Sequence, residues 1–232
     1  MDEKDVICVM IAGICHDLGH GPFSHLWEVF INRARLKDGR EKYQHEVMSI
    51  QMFEHLLESN NLRPVLKALA DIDEQDIVFI KEQIGGILDE ETGLPSSRSI
   101  NDTRMWPYKG RGEEKSFLYE IVANKVSGID VDKWDYFLRD DYYMKIGHVF
   151  NYERFILYTR VEKIASTGRK QLVIRDKELE NLKVRCFFAK GPIAMSIELS
   201  LFQHMVEDRA RLHMHGYQHK VTLIVDRMLV SK

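Results

Sequence analysis

The chain has 232 residues, of which 44% are hydrophobic and 30% charged, which predicts a soluble, folded protein with a substantial core. Its 33 basic and 36 acidic residues give a formal charge of −3, so any polyanion binding must come from local basic clusters rather than from global charge. The apolar run 6–15 is too short to span a bilayer, and the acidic start 1–5 is unlike a secretory signal. The odd number of cysteines, three, suits a reducing compartment, so we expect a nuclear or cytoplasmic, intracellular protein without a membrane partner.

The spacing of apolar residues predicts that most of the chain is helical. The predicted helices cover about residues 3–19, 23–35, 43–59, 74–88, 113–127 and 131–146, and a further helix begins near His204. Asp73 is the predicted N-cap of the fourth helix, and the Gly-, Pro- and Ser-rich stretch 89–112 predicts a long loop. Segments 158–164 and 171–175 predict the two strands of a small β-hairpin. The predicted fold class is therefore mainly α, a single domain with a minor β-hairpin.

Three histidines and an aspartate lie within ten residues, 16–25. His16 and Asp17 offer one imidazole nitrogen and one carboxylate oxygen, a ligand set suited to iron, manganese or zinc. His20 and His25 follow closely enough to move protons beside whatever the metal holds. A polar helix end with structural histidines is the alternative, and the density of the cluster disfavours it.

Neighbouring side chains on a straight helix diverge by about 100°, so His16 and Asp17 need a further ligand from another helix. Asp132 is the best candidate, because it begins a helix on which Tyr136 and Asp140 follow along one face, with Lys133 beside it. Such a face could supply an acid for the metal, a lysine for phosphate and a tyrosine for a sugar or base. These residues alone are equally compatible with a solvated, charged helix surface.

The pattern from His16 to His20 also imitates the His-Glu-x-x-His motif of zinc proteases, with Asp17 in place of the general base. That motif requires a continuous helix through both histidines. Gly19 and the Gly21-Pro22 pair that follows disfavour such a helix, and with it this interpretation.

Several long stretches closely resemble the vertebrate SAM-and-HD-domain deoxynucleoside triphosphate triphosphohydrolases. They are 11–25, 106–111, 115–121, 128–136 and 217–221, and the resemblance covers about 4–182 and 209–226. It implies an HD-domain helical bundle that splits dNTPs, dGTP among them, into deoxynucleoside and intact triphosphate and so controls dNTP pools.

The resemblance also implies residue roles. The implied metal ligands are His16, Asp17 and Asp132, and the implied catalytic residues beside the α-phosphate are His20, His25, His45 and Glu46. His25 is the implied acid for the leaving 5′-oxygen, and Glu46 would orient His45. The implied substrate-binding residues are Lys133 for phosphate, Tyr136 and Tyr217 for the sugar, and Asp140 for the 3′-hydroxyl.

Activation by GTP or dNTPs at separate allosteric sites, with assembly of a homotetramer, is a further implication of the resemblance. The residues that match the effector sites are Arg154, Arg175, Lys177, Asn181, His219 and Lys220. Arg and Lys near a hairpin and a helix start are compatible with a triphosphate cradle. Mg²⁺ carried by the nucleotide and single-stranded nucleic acid are further implied partners, although no stripe of basic and aromatic residues supports the latter.

The sequence also departs from the family. The family's first metal-binding histidine lies upstream of the matching region, Glu28 stands where the family has Asp, and the match lapses over about 183–208. We therefore predict an HD catalytic core at 1–182 that lacks its first helices, a divergent or inserted segment at 183–208, and a C-terminal core helix at 209–232. This chain is expected to be weakly active or inactive by itself. The alternatives are a catalytically dead paralogue that binds nucleotide or oligomerises, and another HD-type nucleotide phosphohydrolase.

Overall fold

Helices make up most of the structure, a computed structural model that describes residues 1–97, 100, 105–147, 150–174 and 200–230. The α-helices are α1 (Glu3–Cys15), α2 (His25–Lys37), α3 (His45–Ser59), α4 (Leu62–Ala70), α5 (Glu74–Gly85), α6 (Val131–Met144), α7 (Tyr152–Tyr158), α8 (Ser200–Leu212) and α9 (Lys220–Val230). A 3-10 helix spans Glu113–Glu120, and a π-helical turn spans His213–Tyr217. Strands β1 (Thr159–Lys163) and β2 (Lys170–Ile174) form an antiparallel hairpin. The predicted mainly α class with a small β-hairpin is confirmed.

The chain divides into two compact units, Met1–Val126 and Ser127–Lys232. In the first unit, α1 and α3 both pack against α5 around a buried apolar core. In the second unit, α6 packs against α8 and the core is rich in phenylalanine. The domain boundaries expected at 182 and 208 stay predictions, because residues 175–199 lie outside the described parts of the chain.

Side-chain caps explain where several helices begin. The Asp2 carboxylate accepts a hydrogen bond from the Asp5 amide at 2.8 Å, and the Asp5 carboxylate accepts one from the Asp2 amide at 3.2 Å, which forms a capping box at α1. Asp73 caps α5 in the same way with Asp76, so its predicted role as N-cap is confirmed. Asp130 caps α6 by accepting from the amide of Lys133 at 3.2 Å.

Several predicted helix boundaries were wrong, among them the end of the fourth helix, which lies at Gly85 rather than at residue 88. The first helix ends at Cys15 rather than at residue 19, since the chain turns at once and the Leu18 amide donates to the Cys15 carbonyl at 3.3 Å. Residues 113–120 form a 3-10 helix instead of the first part of an α-helix, with Lys115 in a non-helical conformation at φ −105° and ψ 19°. The α-helix beginning at residue 131 ends at Met144, where Lys145 adopts a left-handed conformation.

Two short helices, α4 and α7, were missed. Helix α4 contains Pro64 in its first turn, a position where proline costs no hydrogen bond because the first amides of a helix have no partner within it. Helix α7 has seven residues, too few for a periodic pattern to stand out. Among the described residues, none of the helices has the length and hydropathy required to cross a membrane.

A buried ion network fastens the segment before the 3-10 helix onto α1 and α5. The Arg111 guanidinium donates from Nε to Asp5 at 2.8 Å and from Nη2 to Asp76 at 2.6 Å, and it lies 4.4 Å from the centre of the Phe79 ring. Lys115 pairs with the same Asp5 carboxylate at 2.6 Å. Burial by itself would raise the pKa of Asp5, but the hydrogen bonds from Lys115 and Arg111 bring it below its ordinary value.

We expect the first unit to lose stability in acid. The pKa of Asp2 falls from 3.8 to about 2, chiefly through the hydrogen bond from the Asp5 amide, and the pKa values of Asp5 and Asp76 are also lowered. A carboxylate with a depressed folded pKa stabilises the protein above its unfolded pKa, and this stabilisation is lost as pH falls through the folded value. Urea unfolding followed by circular dichroism should therefore give a lower midpoint at pH 3 than at pH 7. Equal midpoints would show that these ion pairs do not contribute.

Candidate metal and phosphate site

His16 and Asp17 come together at the end of α1. Just after Cys15, the last residue of that helix, Nε2 of His16 lies 3.3 Å from Oδ1 of Asp17. The same Asp17 oxygen lies 3.4 Å from Nε2 of His20. The side chains of the two neighbours therefore meet although His16 keeps helical backbone angles.

The donor set of this pair fits a divalent transition metal. Nδ1 of His16 lies 2.7 Å from the carbonyl oxygen of Gly13, an arrangement that assigns the ring proton to Nδ1 and the lone pair to Nε2. Nε2 of His16 and Oδ1 of Asp17 then lie 3.3 Å apart, and each offers an electron pair. Two such donors are suited to bind one metal cation. A second-shell bond from a ligating histidine to a backbone carbonyl is common in metal sites.

His20, His25 and His45 form a triangle of imidazole rings. The rings of His20 and His45 stack with centroids 4.1 Å apart, and the His25 ring lies edge-on at 5.1 Å from His20 and 5.3 Å from His45. One ring nitrogen of each residue lies within 4.8 Å of the others. Burial lowers the pKa of His20, and the neighbouring His45 acts in the same direction.

The triangle also lies where two helices begin. His25 is the first residue of α2 and His45 the first residue of α3, the helix that the sequence predicts over about 43–59. Helix N-termini favour anions because their first amides lack partners within the helix and the macrodipole is positive there. Three imidazoles at two helix starts therefore make a site suited to phosphate oxygens.

Glu28 holds two of the three histidines. Its Oε2 lies 3.3 Å from Nδ1 of His45 and 3.5 Å from Nδ1 of His25, and its Oε1 accepts the backbone amide of His45 at 3.2 Å. Burial would raise the pKa of Glu28, but the side-chain hydrogen bond with His45 brings it below the ordinary value. Glu46 approaches the same ring nitrogen, with its carboxylate 3.4 Å from Nδ1 of His45. Sequence reasoning named Glu28 only as a departure from the family, although its place one helical turn after His25 was a usable signal.

For the activity that the resemblance implies, we expect Glu28→Gln to lower turnover by about 10- to 100-fold, the range typical of losing a partner that orients a metal-ligating histidine. The amide keeps the shape but loses the charge that orders both imidazoles. Glu28→Asp, which restores the family's residue, should recover most of the activity. Steady-state release of product from dGTP measures both variants, and equal rates for Glu28→Gln and the unsubstituted protein would contradict the role of Glu28.

The second unit carries the other predicted site residues on and near α6. Asp132 lies in the first turn of α6, and the Lys133 ammonium lies 3.4 Å from the Asp130 carboxylate. The Tyr217 hydroxyl donates to the Asp140 carboxylate, so the structure brings together two of the three residues expected at the sugar. Tyr136 is half-buried against the core of this unit, and burial raises the pKa of its hydroxyl to about 12.

The predicted effector residues are only partly described. Arg154 lies in the first turn of α7, with its guanidinium 5.7 Å from the ring centre of Tyr158. His219 precedes α9 and accepts the amide of Val221 at 3.3 Å, and Lys220 begins that helix with an exposed side chain. Arg175, Lys177 and Asn181 lie outside the described residues. The grouping of these six residues as effector sites stays a prediction.

Comparison with known protein families gives the class of this protein. Residues 1–91 match the family model of the HD domain. This range contains the His16–Asp17 pair and the whole histidine triangle. The similarity to HD domains that the resemblance predicted is thus found in the part of the chain that carries these residues.

Individual relatives give a more specific comparison than the family model does. The chain is 45% identical over 230 residues to the deoxynucleoside triphosphate triphosphohydrolase SAMHD1 of Danio rerio, a match that covers 99% of this chain and 32% of the relative. It is 46% identical over 232 residues to SAMHD1 of Homo sapiens, covering 100% of this chain and 32% of the relative. A SAMHD1 homolog of Dictyostelium discoideum is 30% identical over 229 residues, 99% of this chain and 33% of the relative. The predicted resemblance is confirmed, and the chain spans about a third of the length of the curated relatives it matches.

Proposed function

We propose that this chain provides catalytic residues for the metal-dependent hydrolysis of dNTPs to deoxynucleoside and triphosphate. The observation that carries the proposal is the position of the candidate metal ligands, His16 and Asp17, beside the triangle of histidines that is suited to bind phosphate. The Asp17 carboxylate lies 3.4 Å from Nε2 of His20, one member of that triangle. The names of the relatives at 45% and 46% identity support dNTPs as the substrate class.

His16 and Asp17 would hold the metal, which when bound supplies Lewis-acid polarisation of phosphate and activation of water. Iron, manganese or zinc suits their mixed nitrogen and oxygen donors. Asp132 is the proposed further ligand, on the resemblance alone. Mg²⁺ is proposed to accompany the nucleotide.

The histidines would bind and protonate the substrate. His25 is exposed and its Nδ1 is turned towards Glu28, so Nε2 is the atom proposed to deliver a proton to the leaving 5′-oxygen. Water attacks the α-phosphorus and the bond from phosphorus to the 5′-oxygen breaks, so the deoxynucleoside leaves with the proton from His25. The attacking water gives up a proton to solvent as it joins the triphosphate, and His25 takes a proton back from solvent. His20 and His45 hold the α-phosphate oxygens, and Glu46 orients His45.

The residues of the second unit are proposed to recognise the rest of the nucleotide. Lys133 would meet phosphate oxygens, and Tyr136 would pack against the deoxyribose where a ribose hydroxyl would clash. The hydrogen bond from Tyr217 to Asp140 supports Asp140 as the group for the 3′-hydroxyl, since it orients the carboxylate. Activation by GTP or dNTPs, a tetrameric assembly and a nuclear or cytoplasmic location are further proposals from the relatives.

An isotope experiment tests the proposed bond cleavage. Hydrolysis of dGTP in ¹⁸O-labelled water should place the label in triphosphate and leave deoxyguanosine unlabelled, because water attacks phosphorus. Mass spectrometry of both products reads the result. Label in deoxyguanosine, or in a monophosphate or diphosphate product, would favour another HD-type phosphohydrolase. Binding of dGTP without any product would favour the non-enzymatic alternative.

A further inference from the structure

Gly19 is held from two sides. Its amide donates to Oγ of the fully buried Ser49 at 2.9 Å, and its carbonyl oxygen accepts the hydroxyl of Tyr43. We call Gly19, Tyr43 and Ser49 the Gly19 clasp. Gly19 lies between Asp17 and His20 in the chain, whereas Tyr43 and Ser49 flank the first turn of α3, which begins at His45.

The clasp brings two backbones closer than most residues allow. A β-carbon at Gly19 would lie 2.2 Å from the carbonyl oxygen of His45 and 2.4 Å from the amide nitrogen of Ser49, both backbone atoms that cannot swing aside. Glycine is therefore required here for close approach rather than for an unusual backbone angle. The turn that contains Asp17 and His20 therefore packs directly against the start of α3, backbone against backbone.

Tyr43 is itself fixed in place. The buried side chain of Asn32, on α2, accepts the Tyr43 amide at 2.6 Å and donates to the Tyr43 carbonyl at 2.9 Å. Because the side-chain amide of Asn32 bonds both the N–H and the carbonyl of Tyr43, the backbone of Tyr43 has little freedom. The hydroxyl of this tyrosine can therefore fix the distance between α3 and the turn that contains Gly19.

We infer that Tyr43 and Ser49 are positioning residues that set the spacing between the metal-suited pair and His45. Through Gly19 they determine how far the turn with Asp17 and His20 stands from α3, and so maintain the 4.1 Å stacking of the His20 and His45 rings. The catalytic part of this inference rests on the proposed function. Its geometric part, the stacking of the two rings, does not.

Tyr43→Phe tests the inference, because it removes one oxygen and keeps the ring. Tyr119→Phe is the matched control: Tyr119 also donates a hydrogen bond within the first unit, to Glu82 at 2.7 Å, but contacts none of the three histidines in the structure. The first readout is the NMR shift of the His20 and His45 ring protons, which the stacked neighbour's ring current displaces. The second is kcat and KM for dGTP with Mn²⁺, and the melting temperature is measured for every protein.

In Tyr43→Phe we expect the ring-proton shifts of His20 and His45 to move and kcat to fall about 10- to 100-fold with little change in KM, as for a misplacement of about 1 Å. In Tyr119→Phe the melting temperature should fall at least as far, while ring shifts and kcat stay unchanged. A merely structural role for Tyr43 predicts that the two variants behave alike, and that result overturns the inference. Unchanged ring shifts in Tyr43→Phe overturn it too. If neither the unsubstituted protein nor any variant hydrolyses dGTP, the proposed function fails, but the ring-proton shifts still test the geometric part of the inference. If Tyr43→Phe does not fold, Ser49→Ala is used for the same test.

Discussion

Asp17→Ala should lose its metal and lower dGTP turnover by on the order of a thousandfold. A bound metal ion contributes several kcal/mol of charge stabilisation, and each loss of about 1.4 kcal/mol slows a reaction about tenfold. The substitution also removes the partner that lies 3.3 Å from His16 and 3.4 Å from His20. Elemental analysis after dialysis against Mn²⁺ measures the metal, and triphosphate release measures turnover.

Asp38→Ala is the control for this substitution. Asp38 follows α2 in the same unit, and its exposed side chain lies 3.9 Å from Nε of Arg40. Metal content and turnover should both match those of the unsubstituted protein. If Asp17→Ala kept its metal, the pair at the end of α1 would not be the metal site.

Arg111→Met should destabilise the first unit by about 3 kcal/mol, because removing one partner of a buried ion pair leaves uncompensated charge. Asp5 is completely buried and Asp76 nearly so, and both lose the guanidinium that bridges them. Lys115 at 2.6 Å from Asp5 and Lys4 at 3.2 Å from Asp76 remain, so we expect the lower end of the range for such losses. Urea unfolding at pH 7 measures the free energy.

The loss in Arg111→Met should also depend on pH. Without the guanidinium, the pKa values of Asp5 and Asp76 rise towards or above their ordinary range, so the variant protonates them at higher pH than the unsubstituted protein does. The difference in stability should therefore be largest near pH 7 and shrink as pH falls. Lys67→Met, which breaks an exposed pair with Asp71 on the same unit, should cost no more than about 0.5 kcal/mol. An equal cost for both variants would contradict the importance of burial.

The parts of the site that depend on local sequence could be predicted. The choice of His16 and Asp17 as candidate ligands follows from the dense cluster of histidines around them, and the place of His45 at the start of α3 follows from the apolar spacing after it. Asp73 as N-cap is likewise a local feature, since its partners lie within three residues. Hydrogen bonds over so few residues leave a pattern that a single sequence displays.

The parts of the fold and of the site that depend on tertiary contacts could not be predicted from the sequence. Nothing near Cys15 in the sequence announces that α1 ends there, because the contacts that place the following turn come from Tyr43 and Ser49, about thirty residues away. Residues 113–120 form a 3-10 helix in which Lys115 reaches back to Asp2 and Asp5, over a hundred positions earlier. The charge pattern could suggest that Glu28 meets His25, but not that it also meets His45.

The measurement that tests the central claim most directly is the identity of the phosphate product of dGTP. Because the chain is expected to be weakly active by itself, we expect ³¹P NMR of a long incubation of the concentrated chain with dGTP and Mn²⁺ to show inorganic triphosphate accumulating slowly together with deoxyguanosine, and Asp17→Ala to show neither. Diphosphate or monophosphate as the first product, or equal triphosphate from the unsubstituted protein and from Asp17→Ala, would contradict the assignment of this site to dNTP triphosphohydrolysis.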